Sequence, residues 1–180
     1  MAAGPVIETP RLILRPPRAE DLEPWVAFHA DETVMRFLGG VQGREMTWRA
    51  VCTMAGAWTI RGFSMFSVIE KDSGQWIGRL GPWQPEGWPG TEVGWGLVRS
   101  AWGKGYAEEG ARAAIDYAVD ILGWTEIIHT ILPGNIGSVR LAEKLGSRLL
   151  RQAEMPPPMA GKIWDVYGQT ADEWRARRTA

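Results

Sequence analysis

Residues 92–107 read Glu-Val-Gly-Trp-Gly-Leu-Val, then Arg-Ser-Ala, then Trp-Gly-Lys-Gly-Tyr-Ala. The first seven residues include Val, Trp and Leu and predict a strand. A glycine-rich turn follows at once. Residues 105–122 then carry small apolar side chains at helical spacing, which predicts a helix ended by Gly123. A strand, a glycine-rich turn and a helix start, in that order, decide the fold.

The glycine-rich turn has the chemistry of a phosphate cradle. Unpaired backbone N–H groups can converge at such a turn, and the helix N-terminus adds about half a positive charge. Gly103 and Gly105 permit backbone angles that other residues resist, and Lys104 adds a mobile positive charge. Two other nucleotide motifs fail on spacing. The Walker motif needs Ser or Thr where Gly105 stands, and the Rossmann motif needs Gly where Glu108 stands.

The rest of the chain alternates predicted strands and helices around this centre. Two strands at 63–70 and 76–81 flank a polar turn and read as an antiparallel hairpin. The Pro-, Gly- and Trp-rich segment 82–90 is predicted to be a loop, as is 155–159 with its three prolines. Further strands are predicted at 11–15, 126–131, around Arg148 and at 163–167, and further helices at 21–30, 44–59, 135–145 and from a capping box at Thr170 and Glu173.

Composition narrows the functional classes. Lys plus Arg is 20 and Asp plus Glu is 21, so the chain has no broad basic field for nucleic acid. The single cysteine, Cys52, excludes an intrachain disulfide and any multi-cysteine metal site, so no metal is predicted. Residues 1–7 lack a basic leader, and no apolar run reaches membrane-spanning length. We expect one domain over residues 1–180 in the cytoplasm, without a membrane partner.

Four stretches in order resemble the GNAT superfamily of acyl-CoA-dependent N-acyltransferases, and its RimJ/RimL-type branch most of all. That branch includes N-terminal acetyltransferases of ribosomal proteins. The resemblance covers nearly the whole domain. The four stretches are Thr-Pro-Arg-Leu-Ile-Leu-Arg at 9–15, Glu-Val-Gly-Trp at 92–95, Trp-Gly-Lys-Gly-Tyr-Ala-Glu-Glu at 102–109, and Asn-Ile-Gly-Ser at 135–138 running to Glu-Lys-Leu-Gly at 143–146.

The resemblance implies a fold and a cofactor site. The fold is a single α/β domain with a mixed, mostly antiparallel sheet of about six to seven strands, splayed between two central parallel strands. Acetyl-CoA is the implied co-substrate, with its pantetheine arm paired to Leu97 and Val98. Trp102 stands where the family usually has Gln or Arg, so backbone donors carry more of the pyrophosphate binding. The implied pyrophosphate site is Trp102, Gly103, Lys104, Gly105, Tyr106 and Ala107.

Three further side chains are candidates for the chemistry. An ammonium cannot attack a thioester, so a base must remove a proton, and Glu92 begins the strand that delivers the pantetheine. The resemblance gives Ser138 the protonation of the leaving thiolate and Asn135 a bond to the pantetheine amide. Asn135 is equally suited to cap a helix, and Ser138 to face solvent. His29 and His129 lie in apolar patterns typical of structural histidines, and Cys52 is expected in the core.

Three functional readings remain open from the sequence. The favoured one is an N-acetyltransferase that moves acetyl from acetyl-CoA to a primary amine, either a peptide N-terminus or a small molecule. A non-catalytic acyl-CoA-binding module of the same fold is the alternative, and a cofactor-free interaction domain comes last. A homodimer is left open. Among the eleven tryptophans, Trp83, Trp88 and Trp95 are expected to line the acceptor pocket, and most others the core.

Overall fold

The computed structural model describes residues 4–178, so only part of the N-terminal stretch 1–7 lies within it. Its single eight-stranded sheet has the order β1-β2-β3-β4-β5-β6-β8-β7. The strands are β1 Ile7–Glu8, β2 Leu12–Arg15, β3 Phe66–Glu70, β4 Trp76–Trp83, β5 Glu92–Leu97, β6 Glu126–Ile131, β7 Arg148–Glu154 and β8 Ile163–Thr170. The helices are α1 Leu22–Ala30, α2 Glu32–Met35, α3 Arg44–Ile60, α4 Tyr106–Asp116, α5 Ile136–Lys144 and α6 Ala171–Arg178.

The predicted mixed and mostly antiparallel sheet is confirmed, with one or two strands more than expected. β3 and β4 form the predicted antiparallel hairpin. Only β5 and β6 are parallel, and they share a single backbone pairing, Glu92 with Ile128. Beyond that pairing the two strands diverge, which leaves a splay in the middle of the sheet.

Several strand bounds differ from the prediction: β3 begins at Phe66 and not at 63, β5 ends at Leu97 and not at 98, and β8 continues past 167 to Thr170. β1 and the end of β4 were also not expected. β1 has only two residues, too few to show a period-2 pattern. β4 continues through Pro82 to Trp83, where a loop was expected. β3 begins at Phe66, which pairs with Leu80, so Pro82 lies beyond the end of β3 and its missing N–H interrupts no ladder.

The helix after the glycine-rich turn ends differently from the prediction. α4 stops at Asp116, and residues 117–121 continue as one wide turn in which Leu122 N–H donates to Tyr117 O at 3.1 Å. Gly123 follows with φ +70° and ends the segment, as expected. The short α2 was not predicted because four residues are too few for a helical period.

Apolar side chains form a cluster on each face of the sheet. Leu12 and Leu14 belong to the cluster that contains α4, whereas Ile13 between them packs against the cluster of α1 and α3. Gly110 of α4 lies so near β4 that an added Cβ would come within 2.5 Å of Leu80 Cδ2. α4 therefore sits close to the sheet, and its N-terminus is fixed at the splay.

The expectation for Cys52 was wrong, because its side chain is exposed on α3. The face of α3 that packs inward carries Val51, Met54 and Trp58 instead. The expectation for the tryptophans holds: Trp25, Trp58 and Trp174 are among the largest fully buried side chains. The predicted capping box is also present, with Thr170 N–H donating to Glu173 at 2.8 Å and Glu173 N–H donating to Thr170 Oγ1 at 3.2 Å.

Candidate active site

The glycine-rich turn presents free backbone donors. Gly103 and Gly105 have φ values of +73° and +81°, a region that favours glycine. The first helical N–H with a backbone acceptor is that of Glu109, which donates to Gly105 O at 3.0 Å. Within residues 4–178, the N–H groups of residues 103–108 donate to no protein acceptor. Six donors at a helix N-terminus are thus available to an anion.

The opening stretch of the chain holds this turn in place. Arg11 donates to the carbonyl oxygen of Lys104 at 2.8 Å and to the Glu109 carboxylate at 2.6 Å. Its guanidinium also lies 4.5 Å from the centre of the Tyr106 ring. Thr9 Oγ1 donates to the other oxygen of Glu109 at 2.6 Å. The Thr-Pro-Arg sequence therefore tethers the turn and the first helical turn to the edge of β2.

A cavity of about 600 Å³ begins at this turn and runs along the splay. Trp102, Gly103, Gly105, Tyr106 and Ala107 are on its wall, whereas the Lys104 side chain is not. The wall also carries basic residues that sequence reasoning missed. These are Arg36, Arg140 and Lys144. The last two could have been predicted from the sequence. Arg140 and Lys144 lie four and eight residues after Ile136, so all three share one face of α5.

Alternate residues of β5 point their backbone hydrogen-bonding groups toward the splay. Val98 N–H donates to Ile77 O at 2.9 Å and Val98 O accepts from Ala101 N–H at 3.0 Å, so both groups of Val98 are used within the fold. The backbone N–H and C=O groups of successive strand residues point in opposite directions. Those of Trp95 and Leu97 therefore point away from β4 and toward the splay. The Trp102 indole N–H donates to Leu97 O at 2.9 Å.

Asn135 and Ser138 stand together at the start of α5. Asn135 Oδ1 accepts the Ser138 N–H at 3.3 Å, which is the predicted capping contact. The side-chain nitrogen of Asn135, Nδ2, stays free for a ligand. The Trp95 indole N–H donates to Ser138 Oγ at 3.3 Å. That bond uses an acceptor site of the hydroxyl and leaves its own hydrogen free to be donated.

Glu92 lies at the mouth of the splay and is 5% exposed. Its carboxylate accepts the Thr130 N–H at 3.0 Å, the Thr130 hydroxyl at 3.0 Å and the Trp88 indole N–H at 2.5 Å. Burial raises the pKa of Glu92 to about 7, although these hydrogen bonds and the positive charge of Arg79 oppose the rise. Its charge state thus changes near neutral pH.

A second cavity, of about 340 Å³, contains Glu92. As expected, Trp83, Trp88 and Trp95 line it, together with side chains of α1 and α3. Trp95 and Ser138 belong to the walls of both cavities. Phe37, Leu38 and Asn135 are also common to both, so the two spaces meet along this shared wall. Sequence reasoning missed Thr130 and Arg79, since neither stands in a recognisable motif.

Both histidines are buried in hydrogen-bond networks. His29 contacts Trp25 and Thr47, while His129 contacts Val93 O and Ser147. Burial lowers the pKa of each to about 4, so both imidazoles are neutral at pH 7. Residues 4–178 contain no cluster of His, Cys, Asp and Glu that could hold a metal ion. No helix in the same range is long and apolar enough to cross a membrane.

A splayed mixed sheet, a turn of free amides beside the splay and a carboxylate at its mouth define an acyltransferase type of α/β domain. The chain belongs to the GNAT acetyltransferase family, since the model of the acetyltransferase (GNAT) domain matches residues 11–148. Members of this family use acetyl-CoA. The family and single-domain fold expected from the sequence are thereby confirmed.

Individual relatives agree with this assignment. The chain is 29% identical over 171 residues to a protein described as the uncharacterized N-acetyltransferase YnaD of Bacillus subtilis, covering 93% of this chain and 98% of that one. An acetyltransferase from Agrobacterium tumefaciens superposes with a TM-score of 0.82 at 28% identity, over 93% and 95% of the two chains. A ribosomal-protein-S5-alanine acetyltransferase from Vibrio fischeri shares the fold alone, with a TM-score of 0.72 at 16% identity over 94% and 98%.

Proposed function

We propose that this protein transfers an acetyl group from acetyl-CoA to a primary amine within a ternary complex. The observation that carries the proposal is the meeting of two cavities at Trp95 and Ser138. One cavity starts at the free amides of the glycine-rich turn, and the other contains Glu92. A donor in the first and an acceptor in the second would bring thioester and amine together without a covalent enzyme intermediate.

The pyrophosphate is proposed to bind the amides of residues 103–107. The helix N-terminus favours the negative charge, and Arg140 adds positive charge along the same cavity, where Lys144 is paired with Glu108. Gly103 and Gly105 let the backbone approach closely, and Lys104 contributes its N–H. Trp102, Tyr106 and Ala107 form the surrounding wall.

The pantetheine arm is proposed to pair with β5. Leu97 keeps the role expected from the sequence, and Trp95 takes the one expected for Val98, whose main-chain groups are bonded elsewhere. A free N–H at the splay would also polarise the thioester carbonyl. The free amide nitrogen of Asn135 is available for a pantetheine carbonyl.

The proposed chemistry balances with groups of this chain. Glu92, as the carboxylate, takes one proton from the ammonium, and the free amine then attacks the thioester carbonyl. The new C–N bond forms as the C–S bond breaks. Ser138 donates its hydroxyl proton to the departing thiolate, and the second amine proton restores the hydroxyl through solvent. The products are an N-acetyl amine, CoA thiol and one proton.

Two classes of acceptor amine fit the proposed site. The resemblance to the RimJ/RimL branch favours peptide N-termini, and the aromatic lining of the smaller cavity suits an apolar small amine equally well. Both are primary amines that reach one carboxylate.

The test is release of CoA thiol from acetyl-CoA by the purified protein, across a panel of peptides and small amines. We expect turnover with at least one acceptor, accompanied by its N-acetyl product in mass spectrometry. Tight CoA binding with no turnover on any amine would favour the non-catalytic binding module. No detectable CoA binding by calorimetry would instead favour a cofactor-free interaction domain.

A further inference from the structure

The smaller cavity has an arginine in its wall that lacks an oxygen partner. Arg79 projects from β4, and its Nε is buried without a hydrogen-bond acceptor. The one hydrogen bond that its side chain makes within residues 4–178 runs from Nη1 to the sulfur of Met65 at 2.7 Å. A thioether is a weak acceptor, so most of the guanidinium's hydrogen-bonding capacity is unused. None of the ion pairs within residues 4–178 includes Arg79, although the charge of Glu92 acts on its guanidinium from a longer distance.

The other charged groups around this cavity give it an excess of positive charge. The exposed side chain of Arg49 on α3 also lines the wall, and it donates to Met46 Sδ at 3.7 Å. His29 is neutral at pH 7 because burial lowers its pKa to about 4. Glu92 is the sole carboxylate among the lining residues of the described chain. The wall thus carries two guanidinium groups, of which that of Arg49 is exposed, and one carboxylate, which itself titrates near pH 7.

We infer that the acceptor amine also carries a carboxylate, which pairs with Arg79 while the amine is directed to Glu92. This inference rests on the proposed function and narrows its substrate class. A guanidinium with free N–H groups binds a carboxylate through charge-assisted, often bidentate hydrogen bonds. The aromatic walls formed by Trp83, Trp88 and Trp95 would contact the apolar side chain of an amino acid-like acceptor.

The same charges argue against polycationic acceptors. A polyamine or an aminoglycoside brings several ammonium groups, and each needs an anionic or carbonyl partner when buried. The lining offers one carboxylate and two cations of the same sign as such a ligand. A cavity of about 340 Å³ also lies at the small end of the range for ligand pockets, which suits a small amino acid-like molecule.

The experiment compares matched acceptors that differ only at the carboxylate. Initial rates of CoA thiol release are measured with L-phenylalanine, L-phenylalaninamide and phenethylamine, with L-leucine, L-leucinamide and isoamylamine, and with spermidine. We expect kcat/KM for the carboxylate member of a series to exceed that of its amide and its simple amine by at least about tenfold. Spermidine is expected to be the poorest acceptor.

Variants connect the preference to Arg79. Arg79→Met should lower the ratio of kcat/KM for the carboxylate acceptor to kcat/KM for the simple amine by at least about tenfold, whereas Arg79→Lys should retain part of the preference. The ratio is the readout because loss of the Arg79 charge also raises the pKa of Glu92 and slows both acceptors. Arg61→Met is the matched control, because Arg61 pairs with the exposed Glu86 outside the cavity. Thermal unfolding of each variant reports whether it is folded.

A binding measurement separates this inference from the proposed function. 3-Phenylpropionate and 4-methylpentanoate have the carboxylate and no amine, so neither can be acetylated. In the presence of CoA they should raise the unfolding temperature of the wild type and leave Arg79→Met unchanged. Turnover of amides or spermidine in preference to carboxylates, with no shift by these acids, would overturn the inference and leave the transferase intact. A shift without any turnover would support the anion site and contradict the transferase.

Discussion

His129 Nδ1 lies 2.7 Å from the carbonyl oxygen of Val93 and links β6 to β5 across the splay. The backbone of the two strands pairs only at Glu92 and Ile128, so this side chain replaces a ladder bond just beyond the last pairing. A carbonyl can only accept, so Nδ1 carries the hydrogen and Nε2 faces Ser147 Oγ at 3.0 Å. The neutral imidazole thereby fixes the width of the opening in which donor and acceptor would meet.

Stability should fall on mild acidification because of this histidine. Its folded pKa of about 4 lies below the ordinary value of 6.5, so the unfolded chain binds more protons between those pH values. Lowering the pH from 7 to 5 should therefore cost about 2 kcal/mol of unfolding free energy for His129. Urea unfolding of wild type and His129→Gln at both pH values measures this, and the variant should lose the smaller amount.

The comparison with His129→Gln removes other titrations from the result. Glu92 acts in the opposite direction, because its raised pKa means that protonation favours the folded state as the pH falls toward 5. His29 acts in the same direction as His129. Both groups are present in the two proteins and cancel in the difference. Equal losses for wild type and variant would contradict a buried neutral His129.

Glu92→Gln should lower kcat by about 10²–10⁴-fold, the usual contribution of a general base. Wild-type kcat should rise with pH up to about 7 and then level, because the base must be ionised and its pKa is about 7. The variant should lose this rise and keep its affinity for CoA. Rate measurements from pH 5.5 to 8.5 with calorimetry of CoA give both quantities.

Glu126→Gln is the control for that substitution, since Glu126 is exposed at the start of the neighbouring strand β6. It should leave the rate and its pH dependence unchanged. A pH profile of Glu92→Gln that matches the wild type would assign the base to another group.

Gly103→Glu should weaken CoA binding at least about tenfold, because a carboxylate would then stand among the proposed phosphate donors. An added Cβ at Gly103 meets no atom within 4 Å, so the effect is electrostatic plus the strain of a positive φ. Gly123→Glu is a matched control, with φ +70° and equally open surroundings away from the cavities. Calorimetry should show CoA affinity retained there, and equal weakening in both variants would count against the phosphate site.

Arg11→Met should weaken CoA binding by about three- to tenfold without a large loss of stability. Arg11 holds the Lys104 carbonyl and Glu109 in place, yet it lies partly in solvent, where ion pairs contribute little. Arg44→Met removes a comparable exposed pair, with Glu23, far from the turn. Unfolding temperature and CoA affinity should be near wild type for that control. Unchanged CoA affinity in Arg11→Met would show that the tether does not position the turn.

Local patterns were sufficient for much of the fold. The strand of residues 92–97, the glycine-rich turn and the start of α4 each depend on neighbours in sequence. The caps at Asn135 and Thr170 could be predicted for the same reason, because each bonds an N–H three residues further on. Pro82 misled the prediction, since its tolerance depends on where β3 begins, in a different part of the chain.

The sequence by itself determined the strand, the glycine-rich turn and the helix start that follow one another at residues 92–107, because backbone conformation and short-range hydrogen bonds follow from residue type and spacing. The parallel pair at the centre was expected only from the resemblance to a known family. Only the tertiary structure decided which groups face the splay. It bonded Val98 within the sheet, placed Trp95 against Ser138, raised the pKa of Glu92 by burial and left Arg79 without an oxygen partner. Those properties depend on desolvation and on contacts between distant segments, which no local pattern encodes.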